Sequence, residues 1–271
     1  MPEVVKGLVI RETLAGEYDK LLTVLTETRG KLFFRAYGVR SLINRNSASC
    51  RIFSYSEFVL REKNDHYYLS QAQLIKSSLE PGTEFDGMSL AFYFFDLCDY
   101  CASDEETCGG MLKMLMNALY IISKGDRPYD LIKAVFELRL MTLLGFMPDM
   151  AGCSLCGRDC GVMDEKSAFH LTNGNLRCRD CAAKAARIEI EDIINEGEAI
   201  KADDIDSHIV YISPECVRLV TRTISVSENT AYAVNVPMTL LKEFSAFAER
   251  YTVNQLERTF DTLKFYKDFK Q

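Results

Sequence analysis

Short runs of β-branched and aromatic residues, broken by turn chemistry, fill the first eighty positions. Val4–Ile10, Asp19–Glu27, Lys31–Val39, Arg51–Arg61 and Tyr67–Ile75 have the length and make-up of strands. Gly16-Glu17, Arg29-Gly30, Ser41–Ser49 and Lys63–Asp65 separate them. Five strands in so short a segment predict a small barrel, for which the five-stranded OB-fold is the natural candidate. In the third run, alternation sends Leu32, Phe34 and Ala36 to one face and Lys31, Phe33, Arg35 and Tyr37 to the other. The first face suits a core. The second interleaves cations with rings, as in surfaces that track phosphates and stack bases. Alternatively, Phe33 and Tyr37 pack beneath a neighbouring domain.

After Pro81-Gly82 the period becomes helical. Ser89–Cys101, Gly110–Ser123 and Tyr129–Leu144 read as helices buried over a wide face, the last stopped by Gly145 with Pro148 beyond. Ser213-Pro214 has the form of an N-cap followed by proline at the first helical position, opening a helix to about Ser225. Pro237–Tyr251 and Gln255–Phe269 complete the helices. Ile188–Ser207, with 8 acids and 1 lysine, reads as a surface connection. The expected class is α+β and multidomain. A barrel spans 1–80, a helical domain 83–150 and 188–271, and an insert 151–187.

The insert carries the most specific chemistry. Cys153/Cys156 and Cys178/Cys181 form two C-x₂-C pairs separated by 21 residues. Each pair can aim both sulfurs at one point, and two pairs can close a tetrahedral thiolate cage around one structural Zn²⁺. Reduced or disulfide-bonded cysteines are the alternative, and a disulfide needs an oxidising compartment. His170 and Cys160 are possible substitute ligands. Four thiolates leave no open position for water, which disfavours a hydrolytic metal. Arg158, Arg177, Arg179, Lys184 and Arg187 decorate the insert, either as a secondary contact or as plain solvation.

The chain has 271 residues and a net charge of −7, which by itself opposes nucleic acid. Its distribution changes that picture. Residues 1–82 hold 12 Lys/Arg against 9 Asp/Glu, a net of +3, so the remainder carries −10. Thr28–Ser56 contains Arg29, Lys31, Arg35, Arg40, Arg45 and Arg51 and no acid. Such a stretch is a candidate phosphate-binding surface, or else a charged edge that resists aggregation. With Phe33 and Tyr37 these six make up the candidate DNA-binding set. The start shows no signal peptide, no run is apolar enough to span a membrane, and ten cysteines without an export signal point to a reducing cytoplasm. No phosphate loop, nucleophile elbow or H-E-x-x-H occurs, and no catalytic residue is assigned.

The run KGLVIRETLAGEYDKLLTVLTETRGKLFFRAYGVR, with Gly7, Gly16-Glu17, the LTVLTE strand, Gly30 and the Gly38-Val39-Arg40 turn, resembles the start of the RecO family of bacterial recombination mediators. FELRLMTLLGFMPDMAGCSLCG and HLTNGNLRCRDC resemble the family's approach to its two zinc knuckles, and ERTFDTLKF more loosely its closing motif. The resemblance spans nearly the whole chain. It implies an OB-fold, a helical domain and an inserted zinc module. It also implies binding of single- and double-stranded DNA, strand annealing, and partnership with RecR and the acidic, apolar C-terminal tail of single-strand DNA-binding protein. Through these, RecA is loaded on coated strands in the RecF pathway of DNA repair, in a nucleoid-associated cytoplasmic setting, with no enzyme chemistry. The sequence departs from the family at Tyr37, where a basic residue is common, and its turn is thin in lysine around Arg45. The departure implies a DNA affinity that is either weaker or more dependent on stacking. For the tail, Phe92, Leu112, Leu115, Phe136 and Leu140 offer apolar surface and Lys113, Lys133 and Arg139 the cations, unless these apolar residues are plain core. The competing reading is a zinc-stapled adaptor whose barrel binds protein.

Overall fold

The alternation of the N-terminal strands closes into a barrel. β1 (Glu3–Ala15), β2 (Asp19–Thr26), β3 (Lys31–Ala36), β4 (Ser54–Lys63) and β5 (His66–Ser77) run in the order β1-β2-β3-β5-β4, and β4 returns to β1. Every ladder is antiparallel except β3–β5, where Phe34 pairs with Tyr67 and Arg35 with Tyr68. This is the OB-fold the strand pattern predicts. Val5, Val9, Leu22, Val24, Leu32, Phe34, Phe58 and Leu60 fill the interior. A side chain on Gly7 would meet the Leu25 carbonyl and Val24 at 2.6 Å, so glycine is required where β1 crosses β2. Asn64 and Asp65 both adopt positive φ, 52° and 59°, and form the tight turn between β4 and β5.

The computed structural model describes residues 2–102, 108–186 and 208–270. The acidic connection Ile188–Ser207 and Arg187 lie outside the described residues. The chain divides into two units, Met1–Tyr129 with Phe260–Gln271, and Asp130–Thr259. The change from strands to helices at Pro81-Gly82 falls inside the first unit, which contains α1 (Phe85–Cys101) and α2 (Gly109–Lys124) beside the barrel. Residues 51–53, read from the sequence as the start of a strand, precede β4 as a bend. Phe53 sits at φ 68°, and its ring meets Phe92 at 5.3 Å and Phe95 at 4.9 Å. These aromatic contacts offset a left-handed backbone that costs on the order of 1–2 kcal/mol.

The second unit holds most of α3 (Tyr129–Leu143), whose stop at Gly145 is confirmed by a φ of 88°. It also holds a four-stranded sheet of β6 (Asp149–Cys153), β7 (Ser167–His170), β8 (Asn175–Arg177) and β9 (Ile209–Ile212), in the order β6-β8-β7-β9. The hydropathy pattern does not reveal these strands, which are too short to show alternation. β9 also comes from beyond the acidic stretch, in a part read as helical. α4 (Pro214–Ser225) begins as predicted, with the Ser213 hydroxyl accepting from the Cys216 N–H at 3.2 Å. After α5 (Glu228–Tyr232), α6 (Met238–Gln255) lies against the sheet, with Phe169 edge-on to Phe247 and Tyr251 at 4.9 and 5.4 Å. The expected helix from Gln255 to Phe269 is shorter. Glu257 takes φ 49° and ends the helical path, and α7 (Asp261–Phe269) starts after Phe260, which packs on Tyr93 and Tyr100 in the first unit.

Candidate nucleic-acid interface and metal centre

Where β3 meets β5, the barrel wall carries a cleft of about 490 Å³, lined among others by Arg11, Phe33, Arg35, His66, Tyr67 and Tyr68. The outward face of β3 supplies one wall. Phe33 is 50 % and Tyr37 54 % exposed, so both rings face solvent. Tyr37 lies parallel to Tyr68 at 5.8 Å, with an interplanar angle of 2°, and the Arg35 guanidinium sits 5.1 Å from the Tyr37 ring centre. The opposite wall, Tyr67 and Tyr68, is brought there by the parallel pairing, and sequence reasoning did not include it. The signal was present in the paired tyrosines that open the fifth strand.

The six basic positions fare differently. Arg29 pairs with Glu3 and donates to the Tyr67 hydroxyl. Lys31 is drawn to the end of α1, where its ammonium donates to the Asp99 carbonyl at 2.6 Å and pairs with the Asp99 carboxylate at 3.2 Å. Arg35 donates to one Asp19 oxygen through Nη2 and Nε, at 2.9 and 3.2 Å. Arg40 donates to the Gly16 carbonyl. Arg45 and Arg51 are exposed, with no ion pair among the described residues. Arg11, which sequence reasoning missed, lines the cleft and pairs with Asp96 and Asp99.

Asp19 holds the turn that follows β3. The Gly38 N–H donates to it at 2.9 Å, and this bond, followed by that from Arg35, keeps its carboxyl below the usual value. A depressed carboxyl contributes stability that is complete above the ordinary value, about 3.9, and is lost as pH falls through the lowered one. A carbon-detected titration of Asp19 is expected to place it below a typical aspartate, and Arg35→Ala to move it up. A normal value in the intact chain would contradict this geometry.

The four cysteines converge. The sulfurs of Cys153, Cys156, Cys178 and Cys181 all lie within 4.8 Å of one another, with Cys156 and Cys178 3.7 Å apart. Thiolates about 2.3 Å from a central tetrahedral zinc stand about 3.8 Å from each other. The spacing therefore fits a metal of that size. The first knuckle is closed by Cys153 N–H to Arg158 carbonyl and Gly157 N–H to Cys153 carbonyl, both 2.8 Å. Burial raises the Cys153 thiol, but N–H groups of Cys178, Leu155 and Cys156 outweigh it and bring the pKa down to about 6. Cys160 is buried and turned toward the Arg158 carbonyl, and neither it nor His170 belongs to the cluster. Arg158 pairs with Asp180 and Arg179 with Glu165, so two of the insert's cations are locally neutralised.

Two of the three proposed tail-binding cations are engaged by neighbours within the second unit. Lys113 is exposed on α2, in the first unit. Lys133 is 1 % exposed and pairs with Glu137 and Glu249 at 3.0 Å, so its ammonium is spent inside the second unit. Arg139 donates to the Thr223 and Val226 carbonyls and caps α4. Leu112, Leu115, Phe136 and Leu140 are core, and Phe92 is partly exposed.

Comparison with known proteins agrees with this architecture. The family model Recombination protein O N terminal matches residues 1–78, the barrel, and Recombination protein O C terminal matches residues 82–264. A DNA repair protein RecO from Acetivibrio thermocellus is 26 % identical over 261 residues, covering 96 % of this chain and 94 % of its own. Its counterpart from Desulforamulus reducens is 30 % identical and covers 67 % of this chain and 70 % of its own. That from Caldicellulosiruptor bescii is 30 % identical and covers 69 % and 75 %. With both halves matched in order and the barrel present, the chain belongs to the Recombination protein O (RecO) family of DNA repair and recombination proteins.

Proposed function

We propose that this protein binds single- and double-stranded DNA through its barrel, anneals complementary strands, and acts with RecR to load RecA on DNA coated by single-strand DNA-binding protein. The cleft at the β3–β5 seam supports the reading most directly. It sets Phe33, Tyr67 and Tyr68 beside Arg35, and Arg11 also lines it. Stacking on such rings contributes about 1–3 kcal/mol per base and tolerates any sequence. Arg40, Arg45 and Arg51 add charge along the neighbouring loop, screening two phosphate backbones as they approach. Annealing breaks no covalent bond, so the function needs no nucleophile and we read the protein as a mediator rather than an enzyme.

The four thiolates hold one Zn²⁺ in this proposal. When bound, the ion crosslinks the two knuckles and stabilises a small sheet. No described helix is long and apolar enough to cross a membrane.

Arg45→Ala with Arg51→Ala is the cleanest test of the electrostatics, because neither residue holds a neighbour in place. Single-strand affinity in low salt is expected to fall several-fold. The slope of log K against log salt is expected to flatten by about 0.7 for each cation removed. Unchanged affinity and slope would favour the adaptor reading. The mediator role is separately tested by annealing oligonucleotides coated with single-strand DNA-binding protein, with and without that protein's C-terminal tail. Independence from the tail would remove that role and leave DNA binding standing.

A further inference from the structure

The loop between β3 and β4 is tied down along its length, yet its tip holds two aliphatic side chains out in water. The Gly38 N–H donates to Asp19 at 2.9 Å and the Arg40 N–H to the Tyr18 carbonyl at 3.1 Å. Asn44 donates to the Tyr37 carbonyl and accepts from the Asn46 N–H. The Asn46 side chain accepts in turn from the Ala72 N–H of β5 at 3.1 Å. Consecutive turns close through Asn44 N–H to Ser41 carbonyl and Ser47 N–H to Asn44 carbonyl, at 3.0 and 2.9 Å. Between these ties Leu42 is 84 % and Ile43 96 % exposed, the highest values for large apolar side chains among the described residues.

Water contact with such a pair is unfavourable, and a stapled loop gives it no route to hide. Arg40 and Arg45 flank the pair, Arg51 lies further along, and no acid lies between Thr28 and Ser56. An apolar tip between cations complements an apolar gap between phosphates, which is what a base step between two backbones offers. We propose that Leu42 and Ile43 form a wedge that enters a base step of duplex DNA from the minor groove, with Arg40 and Arg45 on the phosphates at either side. Apolar side chains inserted in this way unstack the step and kink the duplex. The inference rests on the DNA-binding reading and divides its labour. Planar rings in the cleft stack unpaired bases, and branched aliphatic chains, which cannot stack, part paired ones. Arg40 spends one donor on Gly16, and a guanidinium has five.

The test is a Leu42→Ser/Ile43→Ser variant compared with the intact chain. Both side chains face solvent, so an unchanged melting temperature is the folding control. With the intact chain, a duplex containing 2-aminopurine should brighten as its step unstacks, and dyes on the duplex ends should draw together. The variant is expected to lose both signals, to bind duplex about tenfold more weakly, and to keep its single-strand affinity. A variant that matches the intact chain in both signals and in duplex affinity overturns the wedge while DNA binding stands. Failure of the intact chain to bind any DNA overturns the binding reading and the wedge together. Loss of binding to phosphatidylglycerol vesicles, with the DNA signals unchanged, would assign the tip to an anionic lipid surface and also overturn the wedge.

Discussion

Exchange of Cys178 for serine is expected to release the metal and unfold the sheet of the second unit. Cys178 is fully buried, and its sulfur is in contact with that of Cys156 across the two knuckles. The sheet it anchors has strands of only 5, 4, 3 and 4 residues. Phe169 packs this sheet on α6, but every residue from Ser154 to Arg158 is exposed, so the first knuckle has no apolar packing to order it. In small zinc modules the metal contributes on the order of 10–16 kcal/mol of apparent folding energy, larger than any single packing term here. Elemental mass spectrometry of the intact chain should find one zinc per chain, and none in the variant. Hydrogen exchange should show protection lost over β6–β8 while the barrel strands keep theirs. A chelator should reproduce the pattern. If the intact chain carries no metal and the variant retains protection, the cage is a cluster of free thiols.

Removal of one charge from the second unit's interior is expected to be the most damaging single change away from the cysteine cluster. Lys133 is held between Glu137, which is fully buried, and Glu249. Burial opposes the ammonium charge, but the two carboxylates outweigh it and raise the Lys133 pKa above the ordinary lysine value. The contribution of the Lys133 charge is therefore complete below the ordinary value of about 10.4 and fades only as pH rises through the raised one. Lys133→Met keeps the volume and leaves the carboxylates without their cation. Breaking a buried pair this way costs about 3–5 kcal/mol, whereas replacing all members together is often neutral. Urea unfolding of Lys133→Met should show that loss, and adding Glu137→Leu should recover much of it. A single variant within about 0.5 kcal/mol of the parent, the range of ordinary surface changes, would mean that Lys133 reaches water.

Much of this was legible in the chain because it depends on local periodicity. The split of β3 into Leu32, Phe34 and Ala36 inside and Lys31, Phe33 and Arg35 outside comes from period two, and the barrel keeps it. The N-cap at Ser213 and the stop at Gly145 are local chemistry too, and both hold. The C-x₂-C spacing was enough to bring four sulfurs together, because each pair lies within one turn and the turns need only meet.

What escaped depends on partners distant in sequence. Lys31 and Arg35 read as free cations, yet Asp99 and Asp19 claim them, at separations of 68 and 16 residues. Lys133 read as the mouth of a groove and lies inside, because Glu249, on another helix, compensates it. Tyr67 and Tyr68 joined the candidate interface only through the parallel closure of β5 on β3. The sheet β6–β9 had no periodic signature, since three- to five-residue strands are too short to alternate and one arrives from beyond the acidic connection.

The sequence by itself determined the barrel, the helices beyond Pro81-Gly82, the two cysteine pairs and the acid-free basic stretch, each written in local runs of residues. Only the tertiary structure decided which of those cations stay exposed, which rings line the cleft, and that Leu42 and Ile43 stand in water on a stapled loop. The physical reason is that charge compensation and solvent exposure belong to pairs of surfaces, and folding chooses the pairs.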